Sequence, residues 1–234
     1  MLSILVDPTV WFCIFCLIVP PGMAYLNGRP EEVIPFFLDR VPLSLLILLI
    51  ATVLITHSGK TVKLSKADQM TARWYLLNGV LIHIGMDGLV GTLHQWKLFD
   101  EQYKIMDRRF IVEHSVPWTI GLIEITHHAP LALLTYYGYW HGKKWARLME
   151  IVTCCFHYAG ALFFVIPELK DGAINIPFDW NLDFTFHHVL YFWFCFGANF
   201  IWMFLPAGLA WRAGKRVVED LEVSEKKAVK VKSL

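Results

Sequence analysis

The sequence predicts an all-α protein, a polytopic transmembrane helix bundle with five core spans plus one N-terminal hydrophobic segment. Three observations predict it. Hydrophobic residues make up 56% of the 234 residues and the mean hydropathy is +0.47, whereas soluble domains are roughly 45–50% apolar. Six apolar stretches approach the ~20 residues that carry a helix across a bilayer. Lys and Arg gather in alternate connections between those stretches.

The stretches cover residues 10–25, 41–56, 74–93, 116–139, 148–165 and 189–211. The first is the weakest, because Pro20-Pro21 is expected to break it, which allows a re-entrant or interfacial segment as well as a span. A cleaved leader is disfavoured, since Asp7-Pro8 and no basic residue precede the apolar run. Residues 1–40 therefore read as an N-terminal hydrophobic segment and loop, 41–212 as the membrane domain, and 213–234 as a basic tail. From Val217 on the tail is too polar to be embedded and is expected to be a frayed helix or disordered.

Six spans place three basic groups on one side: Lys60, Lys63, Lys66 and Arg73; Lys143, Lys144 and Arg147; and the tail from Arg212. Basic residues on the other side are fewer and balanced by acids, so the first set and the C-terminus are expected in the cytosol. Lys230 and Lys232, fifth and third from the end, look like a dilysine retrieval signal, which points to the endoplasmic reticulum membrane. A net charge of +1 argues against nucleic acid as a partner. The five cysteines lie in apolar runs without zinc-finger or secreted-framework spacing and read as small packing residues.

Ionisable groups inside spans are costly and by default mark function. Here they cluster: Asn78, His83 and Asp87 in the third stretch; Glu124, His127 and His128 in the fourth; His157 in the fifth; Asn199 in the sixth. His83 and Asp87 are four apart, as are Glu124 and His128, so each pair shares a helix face. Gly85 and Gly88 beside the first pair permit close approach of a second helix. Tyr191, Trp193, Phe200 and Trp202 add aromatic surface, and an apolar pocket with a few convergent polar groups is the usual form of a ligand site. A metal centre is disfavoured, because Glu124-x-x-His127 occurs once and no His-x-x-His-His run is present. No cofactor is expected. Transport is disfavoured by the lack of an inverted repeat. General acid–base chemistry fits best, because a carboxyl group in apolar surroundings can hold a proton near neutral pH and donate it.

The same residues carry a resemblance. His83-x-x-x-Asp87-Gly88 resembles the His-x-x-x-Glu-Gly signature of the emopamil-binding-protein family, the EXPERA domain. Tyr103 with Asp107-Arg108-Arg109-Phe110, Glu124-Ile125-Thr126, Glu168-x-x-Asp171-Gly172 and Asn199-x-x-Trp202-x-x-Leu205-Pro206 are similar to its further motifs, in order, over residues 41–212. The resemblance implies an intramolecular, carbocationic reaction: an alkene or epoxide is protonated and a neighbouring proton is lost. It carries catalytic roles onto His83, Asp87, Glu124, Asn199 and Trp202, with Tyr103, His128, His157, Tyr191 and Trp193 expected to line the substrate site. Founding members are sterol Δ8-Δ7 isomerases, and relatives occur as terpenoid cyclases of secondary metabolism. Position 87 is Asp where the family has Glu, one methylene shorter, which favours a divergent terpenoid or meroterpenoid cyclase or isomerase. Sterol isomerisation and non-catalytic binding of sterols or amines stand as alternatives. The expected partners are an apolar isoprenoid substrate and the bilayer, with a homodimer left open.

Overall fold

The structure, a computed structural model, describes residues 7–57, 62–175 and 198–232. Every regular element among them is helical. Helix α1 (Pro8–Leu26) begins where the Asp7 carboxylate accepts the Thr9 N–H at 3.1 Å. It corrects one expectation: α1 continues through Pro20-Pro21 without a break. Both prolines fall near its C-terminal end, so the missing N–H groups strip helical partners only from the Cys16 and Leu17 carbonyls. A 3₁₀ turn (Pro30–Glu32) and the short α2 (Val33–Leu38) lead into α3 (Arg40–His57).

Along α3, Leu46, Ile47, Ile50, Leu54 and Ile55 are all exposed. A contiguous apolar face of this kind is a liability in water and the ordinary surface of a helix in lipid. Three described helical runs are long and apolar enough to cross a membrane, Thr9–Leu26, Pro30–His57 and Ala146–Lys170. The described residues are therefore those of an all-helical membrane protein.

Helix α4 (Lys66–Leu77) is capped by Ser65, whose hydroxyl accepts the Asp68 N–H, and passes directly into a π-helical segment, Asn78–Val90. After α5 (Lys97–Met106), α6 (Ser115–Ile123) runs into a π turn, Glu124–His128, and on into α7 (Ala129–Trp140). Helix α8 (Ala146–Lys170) and α9 (Ala198–Lys232) pack along one another. The core lies where α4 and its π segment meet α7 and α8. There Tyr75, Val80, Ala132, Tyr136 and Cys154 are buried, and the Tyr75 hydroxyl lies 3.2 Å from Cys154 Sγ. Cys13, Cys16 and Cys154 are free and buried, as packing residues should be, whereas Cys155 is exposed.

Of the two forms expected for the polar tail, the helical one is found, since α9 continues through it to Lys232. Two ion pairs hold its first turns: Arg216 to Asp68 at 2.5 Å, and Arg147 to Asp220. Beyond them, good helix formers and the Glu222–Lys226 pair, four residues apart, favour continuation of the helix.

Candidate active site

Two of the polar groups singled out along the chain sit on π-helical backbone. The Asn78–Val90 segment carries Asn78, His83 and Asp87, and the Glu124–His128 turn carries Glu124, His127 and His128. π-helical turns are uncommon and recur at functional sites, because the extra residue per turn redirects side chains. Close approach of the two segments needs a residue without a side chain at Gly88. A Cβ there would strike the Ile125 side chain, while one at Gly85 would come 2.7 Å from Leu45 on α3.

The approach brings Glu124 against His83. Both His83 Nδ1 and His128 Nδ1 meet the same carboxylate oxygen, Glu124 Oε2, the latter at 2.7 Å. The contacts are close without being aligned as hydrogen bonds, since neither nitrogen nor that oxygen has a hydrogen-bond partner among the described residues. On its other edge, His83 Nε2 lies 2.9 Å from His157 Nε2 of α8. All three histidines are buried, at 1–3% exposure. Gly160, one turn along α8 from His157, makes room for this arrangement: a Cβ there would lie 2.8 Å from His128 Cε1.

Asp87 is held differently. Its Oδ2 is 3.8 Å from His83 Nδ1, its Oδ1 accepts a long hydrogen bond of 3.4 Å from the Tyr103 hydroxyl, and its side chain is about a third exposed. Trp202 of α9 stands over the cluster, with its ring 5.9 Å from His83, 5.7 Å from His157 and 5.4 Å from Trp74. These groups form one wall of a cavity of about 160 Å³ whose remaining lining is largely apolar, including Met86, Ile120, Phe110 and Phe164. Asn199 also lines it.

At the far end of the same cavity a second buried polar group closes the structure. Arg109 donates to both Asp107 oxygens (Nε at 3.0 Å, Nη2 at 2.6 Å) and to the Phe164 carbonyl at 2.9 Å, and its guanidinium lies over the Phe164 ring at 4.4 Å. Glu168 accepts the Asn175 N–H at 2.8 Å and stands 3.4 Å from Arg109. Every charge in this group has a partner, so it pins the 107–110 loop to the C-terminal end of α8.

Eight of the ten sequence-predicted site residues therefore line one cavity: His83, Asp87, Tyr103, Glu124, His128, His157, Asn199 and Trp202. Tyr191 and Trp193 lie outside the described residues, as do His187 and His188. His127 does not join the site. It is exposed and shares a hydrogen bond with Thr126 instead. Asn78 is buried without a hydrogen-bond partner among the described residues, and it is not part of the cavity lining. The sequence did not single out Gly160 or the joining of His83, His128 and His157, of which one ring nitrogen each lies within 4.8 Å of the others. The three histidines come from three separate helical segments, so no spacing along the chain announces the set.

The chain has curated relatives over most of its length. It is 28% identical over 84% of its residues to a probable 3-beta-hydroxysteroid-Delta(8),Delta(7)-isomerase of Oryza sativa, covering 87% of that protein. It is 22% identical over 80% of its residues to the 3-beta-hydroxysteroid-Delta(8),Delta(7)-isomerase of Rattus norvegicus, covering 81% of it. A protoglabretal synthase of Ailanthus altissima is 23% identical over 73% of the chain, which covers 77% of that protein. Residues 93–213, more than half of the chain, match the family model of EXPERA, the expanded EBP superfamily. The motif order from Tyr103 to Pro206 falls inside that match, and the cavity they line is where the chain's polar groups converge. The chain belongs to the EXPERA (expanded EBP) superfamily.

Proposed function

We propose that the chain is a membrane-embedded isomerase or cyclase that protonates an alkene or epoxide of an apolar isoprenoid and then takes back a proton from a neighbouring carbon. The observation that carries this reading is the pairing of two unequal carboxyl groups on one wall of an apolar cavity. Glu124 is wedged between two imidazole nitrogens, whereas Asp87 faces the cavity with one long hydrogen bond. Two carboxyl groups in different surroundings divide acid and base roles between them. Asp87 is the donor in this reading. Protonation of the substrate leaves positive charge on carbon, the Trp202 ring faces that charge, and the apolar lining keeps water from quenching it. Glu124 or His128 accepts the proton that restores a double bond or ends ring closure. The net change is a rearrangement of one molecule, with no redox partner or cofactor. Asn199 and Tyr103 orient the substrate, and His157 supports His83.

A terpenoid or meroterpenoid substrate is preferred, because Asp87 is shorter than the family's Glu and the site gains His128 next to Glu124. The specific alternative is Δ8-Δ7 sterol isomerisation, favoured by the extent of the similarity to the rice and rat isomerases. The deciding experiment is product analysis by mass spectrometry with membranes containing the protein. One sample receives a Δ8-sterol and another an epoxidised farnesyl meroterpenoid. An isobaric cyclised product from the epoxide is expected, and a Δ7-sterol would install the alternative. The Asp87→Asn variant should remain folded and lose either product. Undiminished product from that variant would remove Asp87 from the acid role.

We place the site in a bundle of five core spans with α1 as an N-terminal hydrophobic segment. The α4–π run and the α6–α7 run then serve as spans beside α3, α8 and α9. Each is long enough, since a helix of about 20 residues covers roughly 30 Å. The loop charges orient the bundle with the C-terminus in the cytosol, and the dilysine-like end of the chain assigns it to the endoplasmic reticulum.

A further inference from the structure

The His83–His128–His157 cluster holds buried polar atoms without hydrogen-bond partners among the described residues. His83 Nδ1 and His128 Nδ1 both crowd Glu124 Oε2, yet neither nitrogen nor that oxygen makes an aligned hydrogen bond. On its other edge His83 Nε2 lies 2.9 Å from His157 Nε2. All three rings are buried, and one ring nitrogen of each lies within 4.8 Å of the others.

We propose that this cluster is a binding site for a divalent first-row cation of the zinc class, ligated by His83, His128 and His157 with Glu124 as the carboxylate behind the ligands. Three features carry it. The ligand type is right, because neutral imidazole is the common protein ligand for zinc, copper, iron and nickel. The spacing is right. Ligands about 2.0–2.1 Å from a tetrahedral ion stand about 3.3 Å apart, and the nitrogens here bracket that value between 2.9 Å and 4.8 Å. The support is right as well. A ligating histidine characteristically gives its other ring N–H to a carboxylate, which fixes tautomer and orientation, and Glu124 stands against Nδ1 of two rings, in place for that role once a cation is bound.

Charge points the same way. Glu124 supplies a negative charge directly behind the rings, and a second ligand set of His83, Asp87 and Glu124 also falls within 4.8 Å. A dication in this position meets carboxylates in surroundings otherwise too apolar to hold it. The site does not depend on the proposed reaction. The cation uses the Nε2 edge of His83, whereas the carboxylates use Nδ1. When bound, it fixes His83 as an Nδ1–H donor toward Glu124 and Asp87.

The test is metal content without substrate. The full chain is purified in detergent through an affinity tag that contains no histidine, stripped with a chelator, reloaded with zinc and dialysed. Bound zinc is counted by mass spectrometry, and cobalt replaces zinc in a parallel sample. About one zinc per chain is expected, with visible cobalt bands of a low-coordinate nitrogen site. His157→Gln keeps a side-chain donor for His83 Nε2 but removes an imidazole ligand. It should elute as a folded species and hold at least tenfold less zinc at the same free concentration. Zinc should also raise the unfolding temperature of the parent but not of this variant. Absence of retained zinc in the parent, or equal retention by His157→Gln and His128→Gln, overturns the site. Because none of these readouts involves turnover, loss of the proposed reaction and loss of the metal site are told apart.

Discussion

Two imidazole nitrogens converge on one oxygen of Glu124, and this fixes what a substitution there will do. In Glu124→Gln the charge that faces both rings is lost. Turnover should fall by about 10²–10⁴-fold, the usual span for a positioned acid–base group. Product formation per folded chain measures it, with size-exclusion elution as the check on folding. Gly160 is a second single-atom constraint. A Cβ at that position would sit 2.8 Å from His128 Cε1, so the ring must move. Gly160→Ala is expected to cost about 1–3 kcal/mol by overpacking and to lower activity. Combining it with His128→Ser should return most of the stability and none of the activity. Thermal unfolding of the single and double variants reads the coupling directly.

At the scale of elements, the 107–110 loop and the C-terminal end of α8 are held together by one side chain. Removal of Arg109 leaves Asp107 and Glu168 buried without their cation. Arg109→Leu should destabilise the protein by about 3–5 kcal/mol, the cost of an uncompensated buried charge. Arg109→Lys should recover part of that, because one ammonium cannot reproduce the forked contacts to Asp107 and the Phe164 carbonyl. This pairing was legible only through motif order, since spacing alone does not tell that Arg109 meets Glu168. What periodicity did reveal is the pairing of residues four apart: His83 with Asp87, and Glu124 with His128, each on one face. The π-helical backbone under both pairs was not legible, because apolar residues with glycines look the same in either helix type. The contact between His83 and His157 spans 74 positions and depends on how α8 packs, not on any local pattern. The continuity of α1 through Pro20-Pro21 escaped for a related reason, since local propensity counts missing N–H groups without knowing how few helical turns follow.

Across the whole molecule outside the cavity, ion pairs gather near the helix ends, as in Arg29–Glu101 and Arg216–Asp68, and charge runs along the extension of α9. Burial pushes the Asp68 carboxyl up, but the Ser65 hydroxyl and the Arg216 guanidinium outweigh it and leave it below its ordinary value. A carboxyl group lowered in the folded state stabilises above its unfolded value, and that stabilisation disappears as the pH falls through the folded one. Arg216→Ala should therefore flatten part of the loss of stability on the acid side, while costing no more than about 1 kcal/mol at neutral pH for a partly exposed pair. Unfolding temperatures across pH 3–7 for parent and variant measure the difference. Past Asp220 the character changes again, since residues 221–229 of α9 are exposed throughout. The last tertiary tie is the Arg147–Asp220 pair. Removal of residues 221–234 then takes away helix that packs on nothing in the described bundle, and turnover in detergent should stay within about twofold of the parent. Location is expected to behave oppositely. If Lys230 and Lys232 act as the retrieval signal, the truncated chain and a Lys230→Ser, Lys232→Ser variant should both leave the endoplasmic reticulum while still active, as fractionation with product analysis would record. Retained location with intact activity would detach those lysines from sorting. Lost activity on truncation would mean that the free helix supports the site from outside the bundle.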